Sequence, residues 1–191
     1  MITTPESLST ESIGRWLGHQ PEFLHVSWAV DDLEKAAAFF AHTLGAGPFF
    51  SIENVVFDRL AGDRPSSPVW NHSTALGAWG DLVIEIQQMH EIKPQELARR
   101  LSAAPNSVNH IGYVAGDYRA ESDRLDKLGM PRFLDAKTGE IEEYYHWAPE
   151  LGVALEVHKD TEFIRNTHVA LRQAARDWDG KDPLRPVPTA F

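Results

Sequence analysis

The sequence predicts an α+β fold of two tandem βαβββ modules followed by an added helix, and three observations point to it. An apolar strand headed by a histidine occurs twice, as LHVSWAVDD at 24–32 and NHIGYVAGD at 109–117. Each copy leads into a helix pattern at a matching distance. His25 to Asp32 and His110 to Asp117 are both seven residues, and the helix-stopping glycines, Gly45 and Gly129, follow their histidines by 20 and 19 residues. Each copy also ends on an apolar strand with a glutamate at its centre, LVIEIQQ with Glu85 and VALEVHK with Glu156.

Residues 1–21 mix polar residues with one short helical pattern, Ser9 to Leu17, and read as a lead-in. Phe23 to Val30 reads as a strand. Asp31 or Asp32 then caps a helix whose Leu33, Ala36, Ala37, Phe40 and Leu44 keep one face, and Gly45 ends it. From 48 to 88 the pattern becomes strands: PFFSIENVVF, then WNHSTALGAW after the turn-rich GDRPSSP, then DLVIEIQQ. Pro94 opens a short connecting helix, PQELARRL. The second copy repeats the order with strand VNHIGYVA, helix DYRAESDRLDKL, and strands PRFLD, EIEEYYHW and GVALEV. The modules span 22–90 and 107–159, within one domain of 22–159. Histidine to glutamate is 60 residues in the first copy (25 to 85) and 46 in the second (110 to 156), and the excess of 14 is assigned to a longer loop around GDRPSSP.

Beyond Lys159, Asp160 is a candidate cap for a helix at 161–179 with Phe163, Ile164, Leu171, Ala174 and Trp178 on one side. Gly180 would stop it, and 160–191 reads as this helix with a Pro-rich tail. Left bare, that apolar side would be too large a patch for a monomer, so it must pack on its own domain or on a partner. Twofold dimers are the commonest soluble oligomers, and a homodimer is expected.

Composition narrows the function classes. Hydrophobic content of 42% and charged content of 24% over 191 residues are those of an ordinary globular chain, and no segment approaches the ~20 apolar residues of a membrane span. The N-terminus lacks a basic start and an apolar run, so a cytoplasmic protein is expected. A net charge of −10 argues against nucleic-acid and anionic-membrane partners. With no cysteine, thiolate catalysis and Cys-ligated metals are excluded, leaving histidine and carboxylate as the strong ligands available.

The repeat turns two His/Glu pairs into one candidate site. On a strand, Glu85 shares a face with Val83 and Gln87, away from Leu82, Ile84 and Ile86, and Glu156 lies away from Leu155 and Val157. An ionised carboxylate inside an apolar strand needs a partner, and a divalent cation is one. Two imidazoles and two carboxylates suit zinc, nickel, cobalt, manganese or iron(II), and leave one or two positions open for water or a substrate. The same residues paired as salt bridges without a metal are the alternative. His90, His158 and His168 have no repeat-matched partner and read as structural or solvated.

HVSWAVDDLEKAAAFFAHTLG, LVIEIQQ, NHIGYVAGDYRAESDRLDKLG and HWAPELGVALEV together resemble the vicinal oxygen chelate superfamily of glyoxalases, bleomycin resistance proteins and extradiol dioxygenases, over about residues 22–159. The resemblance implies paired βαβββ modules forming a cupped mixed sheet with a divalent metal inside. Carried over by position, His25, Glu85, His110 and Glu156 would be the ligands, a complement similar to that of bacterial glyoxalase I. The spacing of NHIGY and the ELGVALEV ending are similar to methylmalonyl-CoA epimerase, where glutamine usually stands at the place of Glu85. Ser27 and Trp28 occupy the region where glutathione-type glyoxalases carry an arginine, which speaks against a glutathione adduct.

The resemblance implies a metal-dependent isomerase, epimerase or lyase that chelates two oxygens of a small organic substrate and stabilises an enolate-like anion. Glu156 is the preferred base, with His72 as a second candidate. Tyr144 and His146 share one strand face, Tyr145 and Trp147 the other, so only one pair can see the cavity; Tyr145 and His146 are both kept as candidate substrate-binding residues. Trp28, Trp70 and Trp79 in the first module suggest a bulky, partly apolar pocket. A metal-free small-molecule binding protein of the resistance type is the alternative function, followed by an extradiol-type dioxygenase.

Overall fold

The computed structural model describes residues 21–63, 67–101 and 106–188, among which ten strands form a single sheet and four helices pack on it. The expected Ser9–Leu17 helix lies outside the described residues. None of the helices described is long and apolar enough to cross a membrane.

In the first module, β1 (Glu22–Val30) runs into α1 (Leu33–Leu44). Asp32 caps the helix by accepting from the Lys35 amide at 3.0 Å, and Gly45 ends it with φ 68°, a left-handed turn that costs a glycine little. Strands β2 (Phe49–Ile52), β3 (Arg59–Gly62), β4 (Val69–Trp79) and β5 (Leu82–Lys93) follow, then α2 (Gln95–Leu101). The second module repeats this with β6 (Ser107–Ala115), α3 (Tyr118–Lys127) capped by Asp117, β7 (Arg132–Thr138), β8 (Ile141–Ala148) and β9 (Val153–Lys159). The chain ends on α4 (Glu162–Arg176) and β10 (Leu184–Pro186).

The sheet order is β10-β2-β4-β5-β1-β6-β9-β8-β7-β3. The two modules meet at its centre, where β1 pairs antiparallel with β6, and each central strand pairs parallel with the last strand of its own module. The internal symmetry reaches the level of register. Ser27, two residues past His25, is opposite Glu85, and Gly112, two past His110, is opposite Glu156. Period-two alternation therefore sends both histidines and both glutamates to the same face. Helices α1 and α3 cover the other face. Leu33 and Ala37 pack with Ile84 and Ile86, and Tyr118 and Leu125 pack with Tyr144 and Val157.

Three features depart from the sequence expectations. The 14-residue excess is more than a loop, because within it β3 crosses to the second module and pairs with β7, anchored where Arg59 donates to Asp135 at 2.8 and 3.0 Å. The cap of α4 is Thr161, whose hydroxyl accepts from the Ile164 amide, while Asp160 is ion-paired with Arg165 and the helix stops at Asp177. The apolar side of α4 packs on its own chain. Leu171 meets Phe50, Ala78 and Val83, and Ile164 meets Leu24 and Val114, so this helix supplies no argument for a dimer. Of the tryptophans, Trp70 faces the concave side, Trp28 packs against Phe40 of α1, and Trp79 is half exposed.

Candidate active site

His25 and His110 project from the two central strands into the concave face, with their Nε2 atoms 3.1 Å apart. Glu85 Oε2 is 3.0 Å from His110 Nε2 and 3.7 Å from His25 Nε2. Glu156 Oε2 is 3.0 Å from His25 Nε2 and 3.1 Å from His110 Nε2. All four side chains are buried, and neither carboxylate Oε2 has an aligned hydrogen-bond donor. When the imidazole nitrogens are unprotonated, His25 Nε2, His110 Nε2 and Glu156 Oε2 present lone pairs to one point, with Glu85 Oε2 beside it. The spacing of His25, His110 and Glu156 fits a divalent ion, since bonds of about 2.1 Å give ligand-to-ligand edges of about 3.0–3.4 Å in octahedral or tetrahedral geometry, whereas the His25–Glu85 edge of 3.7 Å is longer.

Each ligand atom is aimed by a second contact. His110 Nδ1 is 2.7 Å from the Asn109 side-chain carbonyl, which takes the ring proton and turns Nε2 inward; Asn109 in turn donates to the Leu101 carbonyl. Thr74 donates to Glu85 Oε1 at 2.6 Å. Tyr145 donates to Glu156 Oε1, and its hydroxyl lies 3.2 Å from Glu143. Gly112 leaves room for the His25 ring, because a Cβ there would lie 2.5 Å from His25 Nε2 and 2.9 Å from Glu156 Oε2.

Protons compete for the same lone pairs. Burial works against a charged His110, but Glu156 and Glu85 overcome it and raise the imidazole to about 10. Burial likewise opposes ionisation of Glu85, which the hydrogen bond and charge of His110, with His25, bring down to about 2. Glu156 is held well below the carboxylate range, its burial outweighed by His158 and His110. Burial first, then the charge of Glu156, pushes Glu143 up to about 8, so it is largely protonated at neutral pH.

The structure therefore brings His25, Glu85, His110, Glu156 and Tyr145 together. His72 also faces the cup from β4, stacked on Trp70 at 4.4 Å and held neutral by burial with a pKa of about 4. His146 does not reach it. That ring lies on the opposite sheet face, 2.8 Å from both the Ser122 hydroxyl and the Met130 carbonyl, because alternation along β8 turns Tyr145 inward and its neighbour outward.

Three more residues enter the cup that repeat matching passed over. His158 Nε2 lies 2.8 Å from Glu156 Oε2, and His158 Nδ1 lies 3.4 Å from Glu143. Alternation held the signal for both, since His158 is two residues past Glu156 and Glu143 two before Tyr145. His168 comes from α4 and stacks near His25 with ring centres 5.8 Å apart. Its signal was helical spacing, one turn beyond Ile164 on the apolar side. The cup encloses about 420 Å³, and among the described residues no lysine or arginine lines it.

A family model for the glyoxalase/bleomycin resistance protein/dioxygenase superfamily matches residues 24–145. Among solved structures, a hypothetical protein from Bacillus halodurans C-125 is similar, with a TM-score of 0.52 at 14% identity over 75% of this chain and 96% of that one. Methylmalonyl-CoA epimerase from Mycobacterium tuberculosis is similar at 17% identity, with a TM-score of 0.44 over 76% of this chain and 91% of that one. A Streptomyces coelicolor methylmalonyl-CoA epimerase in complex with 2-nitronate-propionyl-CoA gives 14% and 0.42 over 75% and 97%. No curated protein matches the chain.

Proposed function

Because the chain belongs to the glyoxalase/bleomycin resistance protein/dioxygenase superfamily, we propose that it is a divalent-metal-dependent isomerase, epimerase or lyase acting beside a carbonyl of a small oxygenated organic substrate. The observation that carries this reading is the convergence of three buried donor atoms, from His25, His110 and Glu156, on one point of the cup, with Glu85 Oε2 beside them 3.0 Å from His110. The set suits zinc, nickel, cobalt, manganese or iron(II). When bound, such an ion supplies Lewis acidity for the negative charge that develops on substrate oxygen.

The chain's own residues do the rest. Glu156 takes the proton from the carbon beside the carbonyl, with its carboxylate oriented by Tyr145. The Tyr145 hydroxyl links Glu156 to the protonated Glu143, a hydrogen-bonded line along which a proton can move and return. His72, neutral and facing the same space, is the second acid–base group. Helix α4 and the apolar wall flank the space that the reacting carbon would occupy.

Deuterium exchange tests the reaction class. Metal-loaded protein in D₂O, offered a panel of 2-hydroxy ketones and 2-keto thioesters, is expected to wash deuterium into the carbon beside the carbonyl. Glu156→Gln should stop the exchange. Failure of exchange across the panel, with ring cleavage of a catechol on admission of oxygen, would move the chain to the dioxygenase class. A homodimer is part of the proposal, on the general ground that twofold dimers are the commonest soluble oligomers. Light scattering should then give about twice the 21.4 kDa chain mass, and a concentration-independent monomer would refute it.

A further inference from the structure

Away from the His/Glu cluster, the cup is apolar, and among the described residues no lysine or arginine lines it. Phe57 stacks on Trp70 with ring centres 5.3 Å apart and planes at 23°, and His72 continues the stack. Facing it, α4 contributes Phe163, Ile164 and Leu171. Besides the imidazoles, the ionisable groups lining the space are three glutamates, Glu85, Glu143 and Glu156. Away from that cluster, an anionic group would lose its hydration to aromatic and aliphatic side chains that return no countercharge.

The polar atoms left over suit neutral partners. His168 Nδ1 donates to the Ile164 carbonyl at 2.9 Å, so its Nε2 is an acceptor; that atom is buried in the cup wall without a hydrogen-bond partner. His72 Nδ1 and Gln87 Oε1 are likewise buried and unpartnered. Leaving such atoms unmatched is costly, and a guest hydroxyl or carbonyl can satisfy them. The enclosed volume of about 420 Å³ lies in the range of sites that hold drug-sized ligands.

We propose that the substrate is an uncharged, aromatic oxygenated molecule of about flavone size, its rings held between the Phe57–Trp70 stack and α4 and its oxygens turned toward His168 and the His/Glu cluster. The anionic groups of acyl-CoA thioesters and dicarboxylates find no matching lysine or arginine on these walls among the described residues. The inference rests on the metal-dependent reading only for the direction of the oxygens; the fit of the rings is independent of it.

The test uses 3-hydroxyflavone, which has two neighbouring oxygens and an environment-sensitive emission, and flavone, which lacks the 3-hydroxyl. Each is titrated into the full chain with EDTA and with zinc. Both are expected to bind the zinc-free protein at micromolar concentration, zinc should tighten 3-hydroxyflavone about tenfold or more and leave flavone unchanged, and malonate or methylmalonyl-CoA should displace neither. Thr167→Arg, at a half-buried position of α4 on the cup, should weaken both flavones about tenfold while keeping the melting temperature, and Trp70→Ala should weaken them likewise through the opposite wall at a lower melting temperature, because Trp70 is also part of the buried core. Flavone binding with no response of 3-hydroxyflavone to zinc, nickel, cobalt, manganese or iron(II) would defeat the metal reading and leave this inference standing. Zinc-dependent binding of malonate or methylmalonyl-CoA with no flavone binding would overturn the inference and leave the metal reading in place.

Discussion

Adding one methyl group at Gly112 should disable the centre without touching a ligand. The Cβ of Gly112→Ala would lie 2.5 Å from His25 Nε2 and 2.9 Å from Glu156 Oε2, against an ordinary contact of at least 3.4 Å, so His25 must give by 0.9 Å and Glu156 by 0.5 Å. Neither has room to do so freely. The His25 ring is flanked by His110, His158 and His168 at centre distances of 5.3, 5.7 and 5.8 Å, and Glu156 is held by Tyr145. Metal bonds tolerate about 0.2 Å, so at least the His25 bond is lost. We expect a fall in zinc affinity of about 100-fold or more, some 2.8 kcal/mol. Overpacking should cost the ion-free protein a further ~1–3 kcal/mol, or roughly 2–12 °C in Tm for a chain of this length. Competition with a chromophoric chelator reads the affinity and calorimetry the stability. Gly116→Ala, where a Cβ meets nothing within 4 Å, is the control. Zinc affinity unchanged in Gly112→Ala would refute the placement of His25 and Glu156 as ligands.

Stability of the ion-free protein should depend on pH through the same cluster. His110 is raised from 6.5 to about 10, so its contribution is complete below 6.5 and lost as pH rises through 10; Glu85 is lowered from 4.5 to about 2, so its contribution is complete above 4.5 and lost as pH falls through 2. The contribution of this pair should be constant between about pH 4.5 and 6.5, read as the difference in melting temperature between the parent and a variant carrying both Glu85→Gln and His110→Gln, while zinc affinity climbs about tenfold per pH unit from pH 6 to 8 as the His110 proton is displaced; a pH-independent affinity would contradict this. Tyr145→Phe removes the donor to Glu156 and should weaken zinc about 10- to 100-fold with the fold retained, to be checked by the same chelator competition. His146→Ala strands the Ser122 hydroxyl and the Met130 carbonyl, and should cost ~1–3 kcal/mol in denaturant unfolding yet leave zinc affinity within about twofold.

Much of the site was legible because duplication repeats its geometry. The spacing from His25 and His110 to their helix caps fixes the same register twice, and the strand period places Glu85 and Glu156 on one face. What escaped depends on which strands meet. Arg59–Gly62 is too short to show a period, and its partner, β7, belongs to the other module. The choice between Tyr145 and His146 could be made only once β8 was known to pair with β9, with Tyr145 opposite Glu156. His168 enters the cup because α4 folds back over β4 and β5, a tertiary choice that an amphipathic pattern alone leaves open between its own sheet and a partner.

The central claim is that His25, Glu85, His110 and Glu156 hold a divalent ion, and the most direct test is the metal content of the purified chain. Plasma mass spectrometry, after dialysis against zinc, nickel, cobalt, manganese or iron(II) and removal of loose metal, should find one ion per 21.4 kDa chain for at least one of them. The ion should be lost in His110→Ala while circular dichroism stays native. A chain that binds none of the five, or a His110→Ala variant as fully loaded as the parent, would contradict the account.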